Sequence, residues 1–520
     1  MSEWASGYVS DVEYLPGLYL EQAPAHVVLT CLLNGVEPPA DGEDFAYCEL
    51  GCGQGVTANI IAASNPGAQV VALDFNPAHI ARARAAAREA GIENVAFHEL
   101  SFEEAEARAD FPQFDMVTMH GVWSWISDAG RAQIVRFLAR HLKPGGTVSV
   151  TYNAMPGWTA LLPIQRLLME HAQLGQGRSD ERVLQSLEFV EFLQKTGSGV
   201  LGDEALLNRI RDGNGKSADQ DRAVYLAHEY LNTDWRPLYH IDTARLLADA
   251  KMSFVGSSAL LENFPDLALR PQQREALTRV PPGSLRETLK DYFVPRAFRR
   301  DVFVRGFRRM PDAIRDQRLA EFALAMIAPR DEAKTTVEVP AGTAELPKHF
   351  YAPMLDALAA GPQTLADLHA IARASKFEGA PSMVEIAGLL IGSGQCVPVP
   401  PGRIAAVSPE ALAFNIAATR EVAEQRAGSA AIALPLTSSG MALRTMEAST
   451  FHALACGVPH TVGAVTEWML ERIRKAGVPL RQDGHIISDL DGQRALVRDS
   501  VEWCFAHRVG LWTALGALPA

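Results

Sequence analysis

The sequence predicts an α/β protein built on a doubly wound, mostly parallel sheet. Two observations carry this. Between residues 45 and 153, short apolar runs alternate with helical stretches across short links, the pattern of a parallel sheet covered on both faces. "ELGCGQG" also sets Gly51, Gly53 and Gly55 directly after the first such run, where a chain must turn tightly into a helix.

Each element follows in order. "FAYCEL" (45–50) is a strand and "GVTANIIAAS" opens a helix. "AQVVALDF" (68–75) is the second strand. The alanine-rich helix after it starts at Asn76-Pro77 and stops at Gly91, both expected punctuation. "NVAFHEL" (94–100) and "FDMVTMH" (114–120) are strands, "DAGRAQIVRFLARHL" (128–142) is a helix, and "KPGG" turns into the strand "TVSVTYN" (147–153). Residues 159–232 then read as helices without a strand pattern. "MSFVGSSA" (252–259) and "DVFVRG" (301–306) are expected to return to the same sheet, giving seven strands. The expected organisation is a core of residues 1–158 plus 240–312, a helical insertion over it at 159–239, a winged-helix-like domain at 313–405, and a mostly helical carboxyl-terminal domain at 406–520.

Composition narrows the function. The chain has 520 residues, 48% hydrophobic and 21% charged, with a net charge of −13. That balance is globular, and the charge argues against general nucleic-acid affinity. The polar amino terminus does not read as a signal peptide, and no apolar run reaches the roughly 18 residues of a membrane span. Neither export nor membrane insertion is expected. The six cysteines form no CxxC pair, so neither a metal site nor a disulfide framework is expected, and the cytoplasm is the natural compartment. "RAFRRDVFVRGFRR" (296–309) holds six arginines. It reads as a strand near the sheet edge with a charged outer face, in preference to a nucleic-acid patch. "SMVEIAGLLIGSG" lacks the Arg, Lys, Asn or Gln that a base-reading helix needs.

The glycine spacing is G-x-G-x-G, not the G-x-G-x-x-G that holds a pyrophosphate. It suits a nucleoside without phosphates. Asp74, at the end of the second strand, is placed to accept both ribose hydroxyl protons.

"ELGCGQG…LDFN…FDMVTMHGVWSWI…LKPGGTVSVTYN" resembles the class I S-adenosylmethionine-dependent methyltransferases, with their seven-stranded Rossmann-like core. "DVEYLPGLYLEQAP", "YNAMPGW" and "WRPLYHIDTARLLADAKMSFVGS" resemble the members that carry a regulatory domain. That group is similar to the rickettsial protein-lysine methyltransferases that modify outer-membrane proteins. The resemblance implies S-adenosyl-L-methionine as cofactor. Gly51, Gly53 and Gln54 would line its methionine end, Glu49 would hold its amino group directly or through water, Asp74 would bind the ribose, and Gly55 and Asn76 would also contact the cofactor. Phe75 would flank the adenine, with Ser101 and Phe102 at its edge. The family's usual Asp is replaced in "ELSF", which leaves base recognition to Ser101, Glu99 or backbone groups.

No "NPPY" or "DPPY" follows the fourth strand, which argues against a nucleobase amine as acceptor. His120 and Gly121 are expected to face the cofactor, His120 as a contact to the methionine carboxylate, a proton acceptor or a purely structural histidine. Of the tryptophans in "MHGVWSWISD", Trp123 is expected on the acceptor wall and Trp125 as an anchor for the next helix. Tyr14 and Tyr19 lie in a segment that covers the cofactor in such enzymes, Tyr152 and Asn153 end the fifth strand on the acceptor side, and Tyr230, Trp235, Arg236 and Tyr239 of "HEYLNTDWRPLY" (228–239) are expected to roof the acceptor channel. A protein lysine is the favoured acceptor, because the insertion and two extra domains offer more surface than a metabolite needs. A small-molecule methyltransferase and a non-catalytic cofactor-binding regulator are the alternatives. The extra domains also suit a homodimer.

Overall fold

The computed structural model describes residues 7–14, 17–39, 44–201, 204–211, 219–294, 296–403, 406–482 and 485–519. The first six residues of the acidic amino terminus lie outside these. The core alternates strand and helix from α1 (Pro24–Leu33) onward: β1 (Ala46–Leu50), α2 (Val56–Ser64), β2 (Gln69–Asp74), α3 (Pro77–Ala90), β3 (Val95–Glu99), α4 (Phe102–Ala107), β4 (Phe114–Met119), α5 (Asp128–His141) and β5 (Leu142–Asn153). Helix α3 obeys its punctuation: the Asn76 side chain accepts from Ala78 N–H, and Gly91 ends the helix in the left-handed conformation. β5 begins five residues earlier than the apolar pattern indicates, because "KPGG" continues the strand.

Four helices follow, α6 (Leu162–Ala172), α7 (Ser179–Lys195), α8 (Glu204–Arg211) and α9 (Asp219–Tyr230). After α10 (His240–Ala248) come β6 (Met252–Ser257), three helices α11 (Pro265–Ala268), α12 (Pro271–Thr278) and α13 (Ser284–Phe293), and β7 (Phe298–Arg305). The sheet order is β3-β2-β1-β4-β5-β7-β6. Only β7 runs antiparallel to its neighbours. The late strands therefore do rejoin the sheet.

The arginine-rich strand needs a correction. β7 lies between β5 and the edge strand β6, near the edge as expected, but Arg299 and Asp301 do not form a solvated face. Arg299 and Asp301 are fully buried. Arg299 pairs with Asp301, Asp291 and Glu287, and Asp301 also accepts from Tyr152 Oη and His240. A buried charge persists only where such partners satisfy it.

The helices α6–α9 form a roof around their own apolar cluster, which takes in Val9 and Val12 from the amino-terminal segment and Trp125 from the β4–α5 link. That segment is pinned to the roof: Asp11 accepts from Ser179 N–H and Oγ, and Val9 N–H donates to Asn232.

Beyond the sheet, α14 (Asp312–Glu321) leads to β8 (Ala323–Met326), the hairpin β9 (Thr336–Val339) and β10 (Gly342–Glu345), α15 (Lys348–Ala360), β11 (Gln363–Thr364), α16 (Leu365–Arg373), α17 (Met383–Gly392) and β12 (Cys396–Val399). β11, β8 and β12 make a three-stranded sheet. Helix α17 packs inward. A Cβ on Gly388 would lie 2.3 Å from the Phe264 ring, and one on Gly392 2.7 Å from Leu261. Its small residues let it press against the core.

The rest contains α18 (Pro409–Ala423), a hairpin of β13 (Ser429–Leu434) and β14 (Ser439–Arg444), and helices α19 (Thr445–Ala455), α20 (Val462–Ala476), α21 (Leu490–His507) and α22 (Val509–Ala514). The hairpin is an addition to the helical reading, since the small residues of "SAAIAL" carry little strand propensity. It docks on α2, with Ser64 Oγ donating to Ser439 O and Asn65 Nδ2 to Ser438 O. Among the described residues, no helix is long and apolar enough to cross a membrane.

Candidate active site

A cavity of about 280 Å³ opens at the carboxyl ends of β1, β2 and β4, under the helical roof. Its floor is the glycine turn. Gly51 and Gly53 both adopt positive φ (70° and 52°), and Gly51 N–H bonds back to Leu73 O, tying β1 to β2. A Cβ on Gly51 would meet Val122 at 2.5 Å, so only glycine fits there.

Asp74 holds this floor together. Its carboxylate accepts from Gly53 N–H and from Asn76 N–H, both at 2.9 Å, and lies 3.2 Å from His79 Nδ1. Glu49 is buried with Oε2 lacking a hydrogen-bond partner. Burial pushes its carboxyl up to about 8. Gln22, with its amide oriented by its neighbours, donates to Glu49 Oε1 and accepts from His120 N–H, both at 3.2 Å.

His120 stacks on Tyr19 with ring centroids 3.4 Å apart. Its Nδ1 is 3.9 Å from Glu21 Oε1, yet burial outweighs that carboxylate and lowers the imidazole to about 4. The opposite wall is Phe75, Leu100, Ser101 and Phe102. The Ser101 hydroxyl is occupied in a capping box, accepting from Glu104 N–H and donating to Glu104 Oε2. From above come Tyr8, Tyr14, His228, Glu229 and Asp234. The Tyr14 and His228 rings meet edge to face at 5.1 Å, and Asn153 Nδ2 donates to Glu229 Oε1 at 3.0 Å.

Residues 48–148 match the methyltransferase domain family, and residues 222–305 match the predicted methyltransferase regulatory domain. The uncharacterized protein sll1526 of Synechocystis sp. is 36% identical over 365 residues, 70% of this chain and 71% of that one. This chain belongs to the class I S-adenosylmethionine-dependent methyltransferases that carry a regulatory domain. A more distant relative, the uncharacterized protein RP789 of Rickettsia prowazekii, is 26% identical over 303 residues, 56% of this chain and 51% of that one. The fold is shared almost end to end with PKMT2 from Rickettsia typhi, solved in complex with AdoHcy, at a TM-score of 0.67 and 19% identity, over 96% of this chain and 99% of that one.

The cofactor of this methyltransferase is S-adenosyl-L-methionine, and the cavity suits it. A buried carboxylate with an unpartnered oxygen calls for a cation, and the donor carries an ammonium and a sulfonium. The positive-φ glycines let backbone approach the ligand closely.

Of the residues the sequence singled out, Tyr14, Tyr19, Glu49, Gly51, Gly53, Gln54, Asp74, Phe75, Ser101, Phe102, His120 and Gly121 line the cavity. The others do not and are corrected. Trp123 is fully buried, with its indole N–H donating to Thr243 Oγ1 at 3.3 Å. Trp125 lines the cavity instead, so the roles of the two tryptophans are reversed. Gly121 explains this: its φ of 64° redirects the chain after β4, and a tight turn from Val122 to Trp125 follows. Tyr152 is buried against Asp301 at 2.6 Å. Trp235 packs edge to face on Trp158 inside the roof, and Asn153, Tyr230, Arg236 and Tyr239 are not in the lining either. Gly55 serves packing, since a Cβ there would sit 2.6 Å from both Ala83 Cβ and Phe97 Cε1. Asn76 caps α3. Glu99, the other candidate for the base, is exposed and away from the cavity.

Sequence reasoning missed Tyr8, His79, His228, Glu229 and Asp234. His228, Glu229 and Asp234 belong to "HEYLNTDWRPLY" (228–239), the stretch expected to roof the channel, but they are not the side chains picked from it, and nothing local marks Tyr8. His79 had a signal, lying one helical turn after Asn76 on the face toward Asp74.

Asp74→Ala is expected to cost about 1–3 kcal/mol of donor binding, because the carboxylate that fixes Gly53 and Asn76 in the cavity floor and faces the ligand is removed. Calorimetry with AdoHcy checks this, and an unchanged affinity removes Asp74 from the site.

Proposed function

We propose that this methyltransferase transfers the methyl group of S-adenosylmethionine to lysine side chains of a protein substrate. The observation that carries the reading is the roof: two carboxylates, Glu229 and Asp234, beside the rings of Tyr8, Tyr14 and His228. Carboxylates in the roof draw a cationic side chain. An aromatic, poorly hydrated wall then disfavours its ammonium form and lowers its pKa, which frees the lone pair for attack. The donor supplies an electrophilic methyl on sulfur, and the protein supplies alignment. In this reading Glu49 holds the donor's amino group, Asp74 the ribose, and Phe75 and Phe102 flank the adenine. With the Ser101 hydroxyl engaged by Glu104, the backbone of residues 100–102 meets the base. The fold shared with PKMT2, and the resemblance to rickettsial protein-lysine methyltransferases, support the same acceptor.

Purified protein incubated with radiolabelled S-adenosylmethionine and either a protein extract or a metabolite extract tests this. Label recovered as methyl-lysine after acid hydrolysis is expected. Label confined to small molecules rejects the reading. Within it, Trp125→Ala is expected to raise KM for the protein acceptor about tenfold and to change the donor's KM less, since Trp125 forms both the cavity wall and the underside of the roof. Steady-state kinetics varying each substrate separates the two.

A further inference from the structure

A second cavity, of about 240 Å³, lies where the sheet domain, the α17–β12 unit and the β13–β14 hairpin meet. Its walls come from the Leu20–Gln22 turn, the Ser258–Leu260 link after β6, the end of α17 with β12, and the hairpin tip. It shares no residue with the donor cavity.

Its lining is mostly apolar, with Leu20, Leu260, Ile391 and Val397 among it. Set into that surface is one ion pair, Arg300 Nε to Glu21 Oε1 at 2.9 Å. His26 also reaches the cavity, but its Nε2 meets Ser258 O at 2.7 Å, and burial lowers its pKa. The guanidinium offers five N–H donors and the carboxylate about four acceptor sites, so the pair has capacity beyond the one bond they share. Where a Cβ on Gly394 would project, nothing lies within 4 Å.

Adjacent opposite charges on an apolar wall complement a zwitterion with an apolar tail. Its ammonium faces Glu21, its carboxylate faces Arg300 in a charge-assisted contact, and its side chain fills the apolar space. We propose that this cavity binds a free apolar α-amino acid and that its occupancy adjusts the affinity of the donor site. The connection is the Leu20–Gln22 turn. Glu21 Oε1 is 3.9 Å from His120 Nδ1, and the next residue, Gln22, bridges Glu49 Oε1 and His120 N–H. A ligand that draws on Glu21 shifts the turn supporting two residues of the donor cavity. Such coupling is reciprocal by linkage.

Calorimetry on the full chain with L-leucine tests the proposal through binding alone, so it stands or falls separately from the lysine reading. One site per chain is expected. Leucinamide, which lacks the carboxylate, and 4-methylpentanoate, which lacks the ammonium, are expected to bind at least about tenfold more weakly, each missing one charged contact. Ala259→Leu fills the cavity from a half-buried position. It is expected to abolish leucine binding and leave AdoHcy affinity unchanged. Saturating leucine is expected to change the AdoHcy Kd in the unsubstituted protein about fivefold. No leucine binding at millimolar concentration, equal binding of either isostere, or undiminished binding in a folded Ala259→Leu protein overturns the site. An AdoHcy Kd that ignores leucine overturns the coupling. If the variant does not fold, the two isosteres decide.

Discussion

Glu49→Gln is expected to weaken donor binding at pH 8.5 by about 100-fold or more, the scale of removing one partner from a buried charge pair. It is also expected to raise the thermal midpoint of the ligand-free protein. Both effects follow from one buried carboxylate whose Oε2 lacks a partner and whose pKa burial lifts to about 8. The folded value lies above the unfolded one, near 4.3 for a glutamate. Glu49 therefore favours the fold most below about pH 4.3, and this contribution is lost as pH rises toward 8. The glutamine variant lacks that loss. An ammonium placed beside Glu49 prefers the ionised form, so donor binding must release the proton the free protein holds. Affinity should then rise up to about tenfold per pH unit between pH 6.5 and 8 and level off above. In the variant it should be flat over that range. Calorimetry in buffers of different ionisation enthalpy counts the released proton. The same pH dependence in both proteins would remove Glu49 from contact with the ammonium.

The parts legible in the sequence are those set by local chemistry. The G-x-G-x-G turn, Asp74 at a strand end and the Asn76-to-Gly91 helix each carry their instruction within a few residues, and each lies where its pattern placed it. Even β6 and β7, separated from the core strands by the whole roof, were readable from their apolar runs. What failed depended on direction and on distant partners. Alternation along β4 does not continue past Gly121, because a left-handed residue rotates everything after it, and so Trp123 and Trp125 exchanged places. Tyr152 sits at the right strand end, but its hydroxyl is claimed by Asp301, 149 residues later. Tyr8 reaches the cavity in a segment that Asp11 and Val9 anchor to α7 and Asn232, and His228, Glu229 and Asp234 come down from α9 and the turn after it. Those tertiary hydrogen bonds leave no periodic trace.

Asp301→Ala is expected to destabilise the protein by about 3–5 kcal/mol, the cost of leaving a buried charge unpaired. Asp301 is fully buried and accepts from Arg299 Nε at 3.0 Å, His240 Nδ1 at 2.8 Å and Tyr152 Oη at 2.6 Å. Burial alone would raise its pKa, but Arg299, His240 and Tyr152 together hold it far below the usual carboxylate range. With the folded value depressed, its stabilisation is complete above the ordinary carboxylate range and is lost as pH falls below about 4. Urea denaturation at pH 7 should show the full difference from the unsubstituted protein, and the gap should narrow in acid. Its partners sit on three elements, β5, β7 and α10, and Arg299 extends the network to Asp291 and Glu287 on α13. The network thus fastens the segment matched as the regulatory domain to the catalytic sheet. It also reaches the roof, because Asn153, beside Tyr152, donates to Glu229. Asp301→Asn keeps the shape and loses the charge. If the network only stabilises the fold, that variant should retain acceptor KM once folded. If it also positions Glu229, acceptor KM should rise about threefold or more while AdoHcy affinity holds, and Tyr152→Phe, which cuts the same link, should add little to it.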